Sequence, residues 1–376
     1  MRILYITDAL AIWGGTERVL VEKANFLADN YNCDIHLITV NQGPHPILYP
    51  ISDRVHYVDL DIRFHRQYVY RGLRRLIKRW QLRRLYINRL RDYINLSCPD
   101  IIVTTRTELS FGIIATKGTI PFLFESHSSF IAYRFQYNNW FSRQKEKFIN
   151  YNLRYANVIV ALTEGDANEW RCISSNVHVI PNIVHLNNSG QYCSCCNKSV
   201  IFVGRLARQK DVHSLLLIWS IVHKCFPDWQ LQIYGGFSNE YDVLIDEIRN
   251  MRANVFLKDP TPYIIDKYCE NSILLLTSLF EPFGLVLPEA MSCGLPVVAF
   301  DCPYGPADII TDGVDGFLVK NRDVNEFADR VCQLIDDKEL RMRMGQAAIK
   351  SSQRYRADLI MPKWKNLFEQ LCKDNQ

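Results

Sequence analysis

The 376-residue chain contains no run of 18 apolar residues, so a membrane-spanning helix is not expected. It has no G-x-G-x-x-G, and the glycine signature of a dinucleotide-binding turn is therefore missing. Internal repeats and low-complexity tracts are absent. Its 12 cysteines do not form the paired spacings of a zinc site. Cys193, Cys195 and Cys196 cluster, but only His185 stands near them. They read as incidental thiols of a reduced, cytosolic protein. The most pointed absence is local. From Arg63 to Arg91 there is no Asp or Glu, while Lys and Arg number eleven. Outside that segment 33 basic residues face 40 acidic ones, a balance of −7 within a chain of net charge +4.

What is present reads as a folded α/β protein. Hydrophobic residues make up 48% and charged residues 22%, which fits a globular chain of two or three domains. Short apolar runs such as Ile3–Thr7, Ile35–Val40, Ile101–Thr104, Pro121–Phe124 and Val158–Ala161 alternate with helical patterns. The same alternation returns in Val200–Val203, Leu231–Tyr234, Val255–Leu257, Ile273–Thr277, Val297–Phe300 and Phe317–Val319. Two parallel-sheet domains follow from it. The opening run reads as a first strand rather than a signal peptide, because Asp8 interrupts it and a glycine turn follows. The polar stretch Asn182–Lys198, with its Asn187-Asn-Ser-Gly190 turn signal, marks the boundary.

Candidate chemistry gathers in the second half. Glu281-Pro-Phe-Gly-Leu-Val-Leu-Pro-Glu289 follows the Ile273–Thr277 strand. A helix is expected from near Leu285 to Cys293, with Pro288 in its first turn and Gly294 and Pro296 stopping it. The N–H groups of Gly284, Leu285 and Val286 then face an anion at a helix start. Upstream, Gly204 turns the chain after a buried strand, and Arg205 and Lys210 project from that loop. Cations there would stabilise a departing diphosphate. Near the start, Gly14-Gly15 precedes a helix whose expected N-cap is Thr16. His127 follows a strand, at the strand end where ligands collect in open α/β sheets.

These residues, with Gly305-Pro306-Ala-Asp308 through Val319, resemble the retaining family-4 glycosyltransferases of the GT-B fold. The likeness covers most of the chain and is densest from Ile201 to Val319. It implies two Rossmann-like domains facing across a cleft: residues 1–182 on the acceptor side, a linker at 183–198, a nucleotide-sugar domain at 199–352, and a helix at 353–376 that crosses back to the first domain. It implies catalytic roles for Arg205, Lys210, Glu281 and His127. It implies donor contacts from Gly15, Gly204, Phe283, Gly284, Leu285, Val286 and Glu289, the last to the ribose hydroxyls. The expected reaction moves a sugar from a UDP-sugar to a hydroxyl of a lipid-linked glycan, as in capsule or O-antigen assembly, without a catalytic metal or other cofactor. A nucleotide-sugar epimerase of the same architecture and a catalytically silent membrane scaffold are the competing readings. One departure from the family pattern is Gly235-Gly236-Phe237-Ser238, where Gly-Asp-Gly is usual.

The basic segment, residues 63–91, adds a partner. On a helix from Val69 to Trp80, Val69, Leu73, Leu76 and Trp80 share one face, with Ile77 at its edge. Arg71, Arg74, Arg75, Lys78 and Arg79 take the other side. Arg83 and Arg84 would break into the stripe, so a kink or second helix is expected after Trp80. The pattern is that of a helix lying on an anionic membrane surface. It places the protein in the cytoplasm, peripheral on the inner face of the cytoplasmic membrane. The alternative is an ordinary helix with its apolar face on the first domain. Nucleic acid is not an expected partner, since the rest of the chain is acidic.

Overall fold

The computed structural model describes residues 1–128, 130, 151–236, 248, 251 and 253–374. It divides into two compact units: Met1–Ile183 with Ala357–Gln376, and Val184–Arg356. Each is built on its own parallel sheet, as the alternation of apolar runs and helical patterns implies. In unit 1 the strands are β1 (Arg2–Thr7), β2 (Asp34–Thr39), β3 (Val55–Asp59), β4 (Ile101–Thr104), β5 (Phe122–Glu125), β6 (Val158–Ala161) and β7 (Val177–Val179). They lie in the order β3-β2-β1-β4-β5-β6-β7. In unit 2, β8 (Ser199–Val203), β9 (Gln230–Tyr234), β10 (Val255–Lys258), β11 (Ile273–Leu276), β12 (Val297–Phe300) and β13 (Gly316–Val319) lie in the order β10-β9-β8-β11-β12-β13.

Both sheets therefore reverse their direction of growth beside their first strand. The reversal falls between β1 and β4 in one and between β8 and β11 in the other, and loops splay apart at such points to leave a crevice at the strand C-termini. The central strands are buried on both faces, which is why they read as unbroken apolar runs.

Among the described residues the helices are α1 (Gly15–Tyr31), α2 (Gly72–Ser97), α3 (Ser110–Thr116), α4 (Glu164–Trp170), α5 (Val212–Cys225), α6 (Ile264–Cys269), α7 (Val286–Ser292), α8 (Gly305–Ile309), α9 (Val324–Asp336), α10 (Lys338–Ser352) and α11 (Ala357–Asp374). None is long and apolar enough to cross a membrane. The last belongs to unit 1, where it buries Ile360, Met361, Trp364, Leu367, Phe368 and Leu371.

Four local expectations are corrected. The N-cap of α1 is Gly14, not Thr16. A Cβ at Gly14 would lie 2.0 Å from Glu17 Oε2, so glycine admits the buried Glu17 beneath the turn. Val69 is not on α2; it ends a separate 3-10 turn, Phe64–Val69, and the extended Arg71 caps the helix. No kink follows Trp80, because α2 is one helix of 26 residues. Its buried positions, Leu82, Tyr86, Leu90 and Ile94, recur every four residues from the point where the first stripe ends. The phase break thus marks a change of burial, not of conformation. Finally, residues 184–198 pack into unit 2 rather than running as a free linker. Asn187 N–H donates to Ser292 Oγ (3.0 Å), and Cys193 N–H donates to the Cys293 carbonyl (2.8 Å). Phe237 and Ser238 of the atypical loop lie outside the described residues.

Candidate active site

In unit 2 the loops after the neighbouring strands β8 and β11 are laced together. Leu279 N–H donates to the Gln209 carbonyl (2.7 Å), Gln209 Nε2 to the Phe280 carbonyl (2.9 Å), and Thr277 Oγ1 to the Lys210 carbonyl (2.9 Å). This lacing brings Lys210 Nζ onto Glu281 Oε1 as an ion pair. Ser278 Oγ donates to the same carboxylate oxygen at 2.6 Å. Glu281 is only 4% exposed, so its charge is held by these two partners rather than by water.

The Glu281 backbone is clamped as well. Its N–H donates to the Pro303 carbonyl (2.7 Å), and its carbonyl accepts from the N–H groups of Tyr304 (2.9 Å) and Gly305 (3.0 Å). The approach requires glycine at 305: a Cβ there would lie 1.9 Å from the Phe283 carbonyl oxygen. Gly235 serves the other loop in the same way, since its Cβ would meet the Gly204 carbonyl oxygen at 2.1 Å. The Lys210 stem lies along Gly204. Arg322 braces the assembly. It pairs with Asp211 and donates to the carbonyls of Ser278 (2.9 Å) and Thr277 (3.1 Å).

Gly284 has φ +90°, a conformation that glycine takes without strain. Its carbonyl accepts from Leu287 N–H at 2.9 Å, which opens the first turn of α7. The N–H groups of Gly284, Leu285 and Val286 donate to no acceptor among the described residues. They precede the first turn of α7, where partial positive charge collects. Glu289, within the same short helix, is 3% exposed, and Tyr268 Oη of α6 donates to its Oε2 at 3.3 Å. Arg205 is exposed and makes no ion pair with a described residue. Unit 2 therefore brings Gly204, Lys210, Glu281, Phe283 and Gly284 into one loop cluster, with Leu285, Val286 and Glu289 carried by the helix that follows. The nearby Cys302 thiol, raised by burial and then by the Glu281 charge, is pushed up to about 12.

Gly15 and His127 belong to unit 1. They follow β1 and β5, which are separated by β4. Around His127 is a buried charge network. Lys23 of α1 pairs with Glu125 Oε2, and His127 Nε2–H donates to Glu125 Oε1 at 2.9 Å. Burial alone would raise the Glu125 pKa, but Lys23 and then His127 outweigh it and bring it down to about 2. An ionised Glu125 accepts only, so the proton on that side of the imidazole sits on Nε2. Lys23, whose pKa burial lowers against the pull of Glu125, also lies 3.8 Å over the Trp364 ring of α11. The loop is held further by Asp166, which accepts from Ser126 Oγ (3.0 Å), Phe130 N–H (2.8 Å) and Trp170 Nε1 (2.9 Å).

Lys23, Glu125, Ser278, Tyr268 and Arg322 were not singled out from the sequence. Lys23 did leave a signal: it falls on the apolar face of its helix beside Val19, Leu20, Ala24 and Leu27, all buried, and a charge there requires a partner. Glu125 lies 102 positions from Lys23, and Ser278, Tyr268 and Arg322 are 3, 21 and 44 or more positions from the groups they touch; no spacing rule links most of them.

Among the described residues one grouping has metal-ligand types within reach, Asp34, His36 and His56. It sits toward the N-terminal ends of β2 and β3, away from the strand ends that carry the site, and Arg2 already holds Asp34. The thiols near residue 195 pack against structure. Cys193 Sγ donates to the Asn271 carbonyl (2.7 Å) and lies 3.6 Å from Cys195 Sγ, and Cys195 is buried.

Two family models match the chain in succession. Residues 13–188 match glycosyltransferase family 4, and residues 196–351 match glycosyl transferases group 1. The chain is 29% identical over 378 residues to the amylovoran biosynthesis glycosyltransferase AmsD of Erwinia amylovora, covering 97% of this chain and 99% of that protein. It is 31% identical over 232 residues to a poly(ribitol-phosphate) alpha-N-acetylglucosaminyltransferase of Staphylococcus aureus, covering 60% of this chain and 46% of that one. Among solved structures, TarM superposes with a TM-score of 0.78 at 17% identity over 98% of both chains. Sucrose-phosphate synthase of Thermosynechococcus elongatus superposes with a TM-score of 0.80 at 17% identity over 99% of both. These likenesses show the GT-B fold, two Rossmann-like domains.

Proposed function

Because the chain belongs to glycosyltransferase family 4, we propose that it moves a sugar from a UDP-sugar to a hydroxyl of a glycan acceptor, with retained configuration, in bacterial surface-polysaccharide synthesis. The acceptor in this reading is lipid-linked and is met at the inner face of the cytoplasmic membrane. The names of two relatives support the pathway class, one being an amylovoran biosynthesis enzyme and the other a poly(ribitol-phosphate) glycosyltransferase.

The observation that carries the chemistry is the Lys210–Glu281 pair beside backbone N–H groups that no described residue engages. Lys210, Arg205 and the N–H groups of Gly284, Leu285 and Val286 converge on the properties a pyrophosphate needs: fixed positive charge and donors already oriented. Glu281 and Glu289 offer acceptors for sugar and ribose hydroxyls. As the bond from the anomeric carbon to the phosphate oxygen breaks, its electron pair goes to the diphosphate, which the cations hold. The acceptor oxygen attacks from the same face, and its proton passes to the departing phosphate oxygen. Cations and the helix start supply the charge stabilisation, so the reading calls for no metal. His127, its ring fixed by Glu125, is assigned to the acceptor side.

The test is a panel of nucleotide sugars, scored by thermal stabilisation, slow donor hydrolysis and the anomeric configuration of the product by NMR. A UDP-sugar should raise the melting temperature and yield a product of unchanged configuration. No stabilisation by any member of the panel, or an inverted product, would overturn the reading.

A further inference from the structure

The first ten residues of α2, from Gly72 to Gln81, contain no buried side chain. Within them Leu73 is 76% exposed, Leu76 61%, Ile77 51% and Trp80 60%, and Val69 just before the helix is 81% exposed. At roughly 100° per residue the four helical positions fall within about 100° of the circumference. This is an amphipathic stripe, but it faces solvent. It is not packed on the described residues of its own domain.

Its direction follows from the rest of the helix. Leu82 and Tyr86, the first residues that dock α2 onto unit 1, lie roughly 130–170° round the helix from the stripe's centre. The stripe therefore points away from the body it is attached to. Arg74 and Arg79 stand roughly 110° to either side of it, where long stems can run along apolar surface and place charge at its rim. Aromatic rings and guanidinium groups are interleaved, with Arg75 4.5 Å over Tyr68 and Arg84 5.5 Å over Trp80. Two bases of the original set stand apart: Lys78 is partly buried, and Arg83 is half-buried over the Phe111 ring at 4.9 Å.

We propose that the exposed stripe Val69, Leu73, Leu76, Ile77 and Trp80, rimmed by Arg74 and Arg79 and with Arg84 one turn further on its face, is a docking surface for an anionic phospholipid bilayer. The inference rests on the proposed membrane-borne acceptor for its purpose and deepens it by naming the contact. Charge selects the occupant. Eleven bases without one acid between Arg63 and Arg91 repel a second copy of the same surface. Nucleic acid would use the bases but leave the aliphatic stripe in water. A bilayer interface takes both, apolar residues below the headgroups and cations among them.

The experiment uses the full chain and vesicles of phosphatidylcholine alone or mixed with phosphatidylglycerol. The protein should sediment with the mixed vesicles and not with the neutral ones, and added salt should release it. A blue shift in tryptophan emission should accompany binding and vanish in Trp80→Phe. Replacing Arg74 and Arg79 by Gln should weaken binding about thirtyfold, at about 1 kcal/mol per base. Replacing Leu73 and Leu76 by Ser should weaken it while leaving circular dichroism and donor hydrolysis in solution unchanged. Equal binding to neutral vesicles, binding with no Trp80 shift, concentration-dependent dimerisation through the stripe, or oligonucleotide binding without vesicle binding would each overturn the proposal. Vesicle binding by a protein that turns over no nucleotide sugar would sink the proposed reaction and leave the docking surface standing. Donor turnover without vesicle binding would do the reverse.

Discussion

Lys210 and Glu281, 71 positions apart, form an ion pair in which the carboxylate is almost fully buried and also accepts from Ser278 Oγ at 2.6 Å. In the proposed reaction, a diphosphate would meet a lysine already aimed by its carboxylate, and the carboxylate could then accept from a sugar hydroxyl as the lysine turns to phosphate. Preorganisation of this kind lowers the cost of assembling charge at the moment of bond breaking.

Removing either partner should cost rate, but the two should differ in stability, because Lys210 reaches water more readily than the buried Glu281. Glu281→Ala is expected to lower kcat by about 100- to 1000-fold, the usual scale for losing one preorganised charged contact, with a melting curve close to wild type. Lys210→Ala should cost the same in rate and also about 3 kcal/mol in stability, because it leaves a buried carboxylate unpaired. Steady-state kinetics with denaturant unfolding checks both. Normal turnover by Glu281→Ala would refute its role.

Gly305 is the steric test of the site. A methyl group there would meet the Phe283 carbonyl oxygen at 1.9 Å, backbone against backbone, so the loop holding Glu281 and Gly284 must shift. Gly305→Ala should raise KM for the donor at least tenfold and destabilise unit 2 by about 1–3 kcal/mol. Gly313→Ala is the control. Gly313 has φ +74° with open space around a Cβ, so it should cost about 1–2 kcal/mol in strain and leave donor KM unchanged. Equal effects of the two on KM would dismiss the close-approach argument.

Acid should expose the buried network of unit 1. The Glu125 carboxyl sits at about 2, below its ordinary 4.5, since Lys23 and His127 together outweigh the effect of burial. Folding therefore gains from its ionised form. That gain is complete above about 4.5 and is lost as pH falls from there toward 2. Stability measured against pH should show this acid limb. In Glu125→Gln the limb should shrink, and the protein should be weaker at pH 7 by about 3–5 kcal/mol because Lys23 is left without a counter-charge. Lys23→Met combined with Glu125→Leu should recover most of that loss. A double variant no more stable than the single ones would rule out an uncompensated charge as the cause.

Much of the site was readable because its determinants are local. The glutamate pair, the glycine before the short helix and the bases after β8 lie within a few residues of a strand end, and strand ends follow from apolar runs. Pairing was not readable. Nothing local says that Lys210 meets Glu281, that Arg322 braces Ser278 and Asp211, or that Lys23 is neutralised by a carboxylate 102 positions away. These depend on which strands become neighbours.

The basic helix divides the two kinds of information most clearly. Its apolar spacing and its lack of acids are properties of the chain, visible in any order of reading. Whether the stripe faces a core or water is not, because a helical period records only that one face is apolar. Packing of Leu82, Tyr86 and Leu90 against unit 1 turned that face outward. Periodicity and composition, which act over one or two turns, thus determined the elements and the kinds of chemistry available. Burial and charge pairing, which depend on contacts between distant segments, were decided only when each sheet assembled.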